Sequence, residues 1–349
     1  MSLRLGGLDC GSGQRPLIIA EMSGNHNGSL DRALAIVEAA ARAGAHAVKL
    51  QTYTADTMTL DLARDEFFIS DPDSPWQGKS LYRLYQEAHT PWDWHAPLFE
   101  RARELGLVAF STPFDASAVD FLETLDVPCY KIASFENVDL PLITRAAATG
   151  KPLIISTGMA DRDEIDAAVT TARGAGCRNL VLLKCTSSYP APAQESNLAT
   201  IPDLRTRFGC EVGLSDHTPG IGAALAAVAL GACVIEKHFT LARADGGVDA
   251  VFSLEPEELA RLVEESGRAH AALGGVHYGP TEHERSSLVF RRSLYFTRDL
   301  PAGTVLTAAD VRAIRPGLGL PPGCLDAILG RRLTCAVQRG TPASWDVLE

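Results

Sequence analysis

The sequence predicts an α/β fold, a closed (β/α)8 TIM barrel followed by a small β-rich domain. Three observations lead there. Eight short apolar runs alternate with helix-periodic segments over roughly 270 residues, the usual size of such a barrel. Polar residues gather at the C-terminal ends of those runs. Past Leu273 the alternation lapses and a stretch rich in Gly and Pro turns follows. A doubly wound open sheet is the alternative, but no G-x-G-x-x-G or G-x-x-x-x-G-K-[ST] fingerprint supports its nucleotide-binding form.

Strands are expected at 17–20, 47–51, 108–111, 129–132, 153–156, 180–184, 211–215 and 233–237. The first helix puts Leu30, Ala33, Leu34, Val37 and Ala40 on one face; Ser29 begins it as N-cap and Gly44 stops it. Further helices are expected at 94–105, 116–125, 140–149, 162–175, 221–230 and 256–273. The longest insertion, 53–89, follows the second strand and reads as a lid or dimer contact. The barrel domain is placed at 1–275, a polar linker at 276–289, and the small domain at 290–349, where short strands and the turns of RPGLGLPP and RGTP replace helical periodicity.

Composition narrows the function classes. The 349 residues are 46% apolar and 21% charged, ordinary for a globular protein with ample core. A net charge of −11 argues against a nucleic-acid or anionic-membrane partner. No run approaches the roughly 18 residues of a membrane span, and the N-terminus lacks a signal peptide's apolar stretch, so a cytoplasmic location is the default. The eight cysteines lack C-x-x-C spacing and read as reduced core residues.

In a barrel the strand C-termini and following loops build the active site. Here they carry Glu21, Lys49 and Gln51, Ser111 and Thr112, Lys131, Ser134 and Glu136, Ser156, Lys184, Ser215 and His217, and Glu236 and His238. Any one could be a solvated strand end; eight strands ending this way together call for chemistry. Lysines with small hydroxyls and glycine turns suit a phosphate and a carboxylate, since ammonium groups balance charge while hydroxyls and backbone N–H groups orient the anion. His217 and His238, on consecutive strands, suit a divalent metal with positions left for water and substrate oxygens. Glu21 and Glu136 are the available acid or base carboxylates. A phosphorylated acid meeting a metal-bound carbonyl compound is the chemistry these residue types describe.

The motifs IIAEMSGNHNGS (18–29), VKLQTYTADTMTL (48–60), FSTPFD (110–115), YKIASFE (130–136), ISTGM (155–159), LKCTSSYPAP (183–192), GLSDHT (213–218), EKHFT (236–240) and IRPGLGLPP (314–322) closely resemble the sialic acid synthase family, in order and over nearly the whole chain. The resemblance implies a barrel with an antifreeze-like C-terminal domain, and condensation of phosphoenolpyruvate with an N-acyl amino sugar. EMSGNHNGS, LKCTSSYP and DGGVDAVFSLEP look closer to the branch that builds pseudaminic acid, whose acceptor is 2,4-diacetamido-2,4,6-trideoxy-L-altrose, than to the N-acetylneuraminate branch. Carried over residue by residue, it assigns phosphoenolpyruvate to Lys49, Thr112, Lys131, Ser134, Ser156 and Ser215. Gln51, Tyr189, Asp249 and Arg315 fall to the sugar. Glu21 falls with them, contacting the sugar or activating its carbonyl; His217 and His238 are catalytic through the Mn2+ or Mg2+ they hold, with Co2+ as a third choice, and Glu136 or Glu21 is the catalytic candidate for handling the protons. Arg315 matches the arginine that the small domain inserts into a neighbouring subunit, which implies a homodimer. Ser187 departs from the longer amide residue common in neuraminate synthases.

The scheme expected on this basis has the methylene carbon of phosphoenolpyruvate attack the polarised sugar aldehyde, water add at the enol carbon, and phosphate leave by C–O cleavage. Within the family, N-acetylneuraminate and legionaminate synthases are the alternatives. Outside it stand a Schiff-base aldolase using Lys131 or Lys184 and a non-catalytic carbohydrate-binding protein.

Overall fold

The computed structural model describes residues 3–11, 13–72 and 74–349. The chain forms two compact units, one ending at Gly274 and one over Gly275–Glu349.

In the first, β1 (Leu3–Leu5) and β2 (Leu8–Cys10) form an antiparallel hairpin. Eight parallel strands follow: β3 (Leu17–Glu21), β4 (Ala47–Thr52), β5 (Val108–Pro113), β6 (Tyr130–Ile132), β7 (Leu153–Ser156), β8 (Leu180–Cys185), β9 (Glu211–Asp216) and β10 (Val234–His238). They pair in chain order and β10 closes onto β3. Each expected strand is present, several running a residue or two further toward the mouth.

Caps start the helices where the sequence offers acidic or hydroxyl residues. Ser29 accepts from Arg32 N ahead of Leu30–Arg42, Asp115 from Ser117 N and Ala118 N ahead of Ala116–Thr124, and Asp161 forms a capping box with Glu164. Thr200–Phe208, between β8 and β9, was not among the expected helices.

Strand alternation separates two cores. Ile18, Ala20, Val48, Leu50, Ile132, Leu182, Leu214 and Ile235 belong to the cluster shared with the helices. Leu17, Ile19, Ala47, Phe110, Ile154, Val181, Leu183 and Val234 fill the barrel interior, where Leu3, Leu5 and Cys10 join them. The hairpin therefore plugs the N-terminal end, a feature the sequence reading did not anticipate. Three-residue strands are not stable alone; burial of Leu3 and Leu5, about 1.5–3 kcal/mol each, holds them in place. Gly6 makes the turn at φ +56°, with a Cβ there falling 2.4 Å from Val108 Cγ1.

The insertion after β4 contains helices Ala55–Met58 and Leu81–Ala88, begun by Thr54 and Ser80 as N-caps. In the second unit β11 (Ser293–Phe296) pairs antiparallel with β12 (Val311–Ile314). Leu294, Phe296, Leu300, Leu306, Val311, Ile328 and Leu333 form its core. The segment 276–289, read as linker, is largely exposed and lies within this second unit.

Candidate active site

Register and alternation build the site. Residues of interior parity continue up each strand from the apolar plug, so Glu21, Lys49, Gln51, Thr112, Lys131, Ser156, Cys185, Ser215, Glu236 and His238 project inside the mouth. The ladders set them side by side: Glu21 is level with Lys49 and His238, Gln51 with Thr112, and Ser215 with Cys185 and Glu236.

At the base lies a closed charge cluster. Lys49 hydrogen-bonds the Glu21 carboxylate, donates to Thr112 Oγ1 at 3.0 Å and lies 3.8 Å from Glu236. Lys131 is 3.8 Å from the other Glu236 oxygen and donates to the Ile132 carbonyl at 3.2 Å. Ser215 Oγ donates to Glu236 at 3.0 Å, and Gln51 to Glu21 at 3.1 Å. All four ionisable groups are buried. Burial alone would push the Glu236 carboxyl up, but Lys131 and Lys49 hold it below the ordinary glutamate value. Burial raises Glu21 in spite of Lys49, and lowers the Lys131 ammonium. Two ammoniums facing two carboxylates are preorganised for a multivalent anion that can take over the pairing.

Around this floor stand unsatisfied or barely satisfied donors. Ser156 Oγ is buried without a partner among the described residues. Ser134 Oγ accepts from Gly158 N at 3.1 Å. A Cβ on Gly158 would fall 2.7 Å from that oxygen and 2.2 Å from Ser187 Oγ, so only glycine fits the cradle. Glu136, in the turn after β6, has one carboxylate oxygen buried without a partner among the described residues, and burial pushes its pKa up to about 7.

His217 and His238 are brought together as expected, ring centroids 5.3 Å apart. His217 Nδ1 lies 2.9 Å from the Thr186 carbonyl, which requires N–H there and leaves the Nε2 lone pair for another partner. Burial, reinforced by His217, holds His238 neutral, far below the usual histidine range. His238 Nδ1 is buried without a hydrogen bond among the described residues, 3.5 Å from Asp249 Oδ2, which Ser23 Oγ donates to at 2.5 Å. Among the described residues no group of three or more His, Cys, Asp or Glu has metal-binding geometry. Two imidazoles with an orphaned nitrogen still fit a divalent ion that takes its remaining oxygens from water and substrate.

Above the floor a cavity of about 470 Å³ is lined by Gln51, Glu136, Tyr189, His238 and Asp249 and, from the 53–89 insertion, by Tyr53, Met58, Ile69, Trp76, Leu81, Leu84 and Tyr85. The insertion is thus one wall of the cavity. Trp76 Nε1 donates to the Val248 carbonyl at 2.7 Å and its ring lies 5.8 Å from Tyr189.

One expectation is corrected. Lys184 was grouped with the anion-binding lysines, but it has the outward parity of Leu180 and Leu182, and its Nζ donates to the Cys185 carbonyl at 2.8 Å. Cys185 takes the inward position. Lys237, equally outward, is neutralised by Asp216 at 3.0 Å. Glu236 stood in the row of strand ends without an assigned role; its alternation with His238 was the signal for it. Arg315 belongs to the second unit, where it is exposed and has no hydrogen bond or ion pair among the described residues.

Fold and site together define a barrel enzyme with a small C-terminal domain, its mouth arranged for an anionic substrate beneath a second, larger one. Residues 36–278 match the NeuB family and residues 291–349 the SAF domain; the chain belongs to the NeuB family. It is 42% identical to the pseudaminic acid synthase of Helicobacter pylori over 338 residues, 96% of this chain and 98% of the relative. It is 38% identical to the N,N'-diacetyllegionaminic acid synthase of Legionella pneumophila, covering 97% of this chain and 96% of the relative. The crystal structure of N-acetylneuraminic acid synthetase from Leptospira borgpetersenii superposes with a TM-score of 0.73 at 33% identity, over 82% of this chain and 95% of that one.

Proposed function

We propose that the protein makes pseudaminic acid, condensing phosphoenolpyruvate with 2,4-diacetamido-2,4,6-trideoxy-L-altrose and water and releasing phosphate. One observation carries this reading: a bis-lysine floor ringed by hydroxyls lies directly beneath a sugar-sized cavity that contains His238. Likeness to pseudaminic acid synthases over nearly the full chain supports the acceptor.

Lys49 and Lys131 neutralise the phosphate and carboxylate of phosphoenolpyruvate, while Thr112, Ser134, Ser156 and Ser215 orient its oxygens. Gln51, Tyr189 and Asp249 hold the open-chain sugar. A divalent cation at His217 and His238, manganese or magnesium with cobalt as a third choice, would supply polarisation of the sugar carbonyl. The methylene carbon bonds to the carbonyl carbon, and the former carbonyl oxygen takes up a proton. Water adds at the enol carbon, and breaking the C–O bond to phosphate leaves the keto group. Glu136, its pKa near neutrality, takes one proton from that water and passes it to the former carbonyl oxygen, and the remaining hydroxyl proton of the tetrahedral centre leaves with the phosphate. Glu21, held by Lys49 and Gln51, positions both of those residues.

We further infer a homodimer in which Arg315 of the small domain reaches the partner's barrel. The exposed guanidinium, without a hydrogen bond or ion pair among the described residues, supports this, as does a set of exposed apolar side chains on loops after β6, β7 and β10: Phe135, Val138, Met159 and Val251.

The test is phosphate release with phosphoenolpyruvate and a panel of the altrose derivative, N-acetylmannosamine and the legionaminate precursor. The altrose derivative should give the highest kcat/KM. With H2(18)O the label should enter the keto acid; label in phosphate instead would overturn C–O cleavage. Chelator should stop turnover and Mn2+ restore it.

A further inference from the structure

The cavity wall that comes from the insertion differs in chemistry from the strand-end side. Met58, Ile69, Leu81 and Leu84 offer no strong hydrogen-bonding side-chain group. At Ile69 the backbone is also occupied, its N–H donating to Lys79 O at 2.9 Å and its carbonyl accepting from Gly78 N at 2.9 Å. Phe114 and Tyr53 continue this surface, with ring centroids 5.1 Å apart, and Tyr85 packs on Tyr53 at 5.9 Å. The Tyr85 hydroxyl has no hydrogen-bond partner among the described residues. A sugar hydroxyl pressed against Met58, Ile69, Leu81 and Leu84 would give up water and gain no hydrogen bond, whereas a methyl group would bury apolar area.

The reacting end of the acceptor is fixed by the floor, since its carbonyl carbon must meet the enol carbon above Lys49 and Lys131. Its far end therefore extends toward the insertion. We propose that the 53–89 insertion is the selectivity element of the site: the wall of Met58, Ile69, Leu81 and Leu84 receives the methyl-ended substituents of a 6-deoxy sugar bearing two N-acyl groups, and disfavours a hydroxylated tail. Tyr85 supplies a polar contact beside this wall, donating to an amide carbonyl. This rests on the condensation proposed above and adds the residues that choose its acceptor.

The experiment compares kcat/KM for the altrose derivative, its 6-hydroxy counterpart and N-acetylmannosamine, with the KM for phosphoenolpyruvate measured alongside. The wild type should prefer the 6-deoxy sugar over its 6-hydroxy counterpart by about 10- to 100-fold, the range an apolar pocket achieves against an added hydroxyl. Leu81→Gln and, separately, Ile69→Thr should narrow that ratio about fivefold or more and leave the KM for phosphoenolpyruvate unchanged. Both positions are half-buried, and the wild-type comparison needs no variant to fold. Equal use of the two sugars by the wild type, or an unchanged ratio in both variants, would overturn the assignment. A preference for N-acetylmannosamine would overturn it together with the proposed acceptor while leaving the condensation standing. Failure to release phosphate from phosphoenolpyruvate with any acceptor would sink the underlying reaction itself.

Discussion

Glu136 is held where its charge is unwelcome, with burial raising its pKa from an ordinary value of 4.5 to about 7. The folded state therefore binds the proton more tightly than the unfolded chain. The group leaves stability untouched below about pH 4.5, and its cost grows as pH rises through 4.5 to 7 and is full above. Glu136→Gln, neutral at every pH, should then stabilise the protein at pH 8 by roughly 1–3 kcal/mol in denaturant titration. The same substitution should lower kcat by about 10²- to 10⁴-fold, and the wild-type rate should show an acid limb near pH 7 that the variant lacks. A variant no more stable than wild type at pH 8 would show that the carboxylate is solvated. At the floor, Lys131→Met leaves Glu236 with one lysine fewer; its effect should appear chiefly in the KM for phosphoenolpyruvate, with sodium borohydride and keto acid product leaving wild-type Lys131 unmodified.

At the scale of elements, the hairpin β1–β2 and the strand ends do separate work. Leu5→Ala should cost about 2–5 kcal/mol in urea unfolding, because it opens a cavity in the plugged interior. It should leave both KM values unchanged, since the plug lies at the barrel end away from the mouth; a shifted KM would tie the plug to the site. The barrel strands were legible because buried parallel strands read as apolar runs and helices announce themselves through caps such as Ser29 and Asp161. Period-two alternation also made Lys49 with Gln51, and Glu236 with His238, readable as neighbours. It spoke against Lys184, whose parity with Leu182 a strict reading of β8 would have caught. The hairpin was illegible because three-residue strands carry no periodicity, and the apolar wall because Met58, Ile69, Leu81 and Leu84 come from loop and short-helix positions that only tertiary folding brings together.

For the whole molecule, the homodimer proposed above, with Arg315 reaching the partner's barrel, is tested by complementation. Arg315→Ala and Glu136→Gln should each be nearly inactive, yet mixed, dissociated and reassociated they should recover about a quarter of the wild-type activity, since half of each mixed dimer carries an intact site. No recovery would place Arg315 in its own chain's site or outside any site. The plugged barrel end also sets the order of events. Lys49 and Lys131 lie beneath the cavity proposed for the sugar, and the barrel's other end is filled by Leu3, Leu5 and Cys10. Traffic must use one doorway, so a sugar seated first would bar the path to the lysines. Steady-state kinetics should thus be sequential and ordered, phosphoenolpyruvate entering ahead of the acceptor. Saturating acceptor should then leave its own KM-limited step behind while the dependence on phosphoenolpyruvate persists as a capture rate.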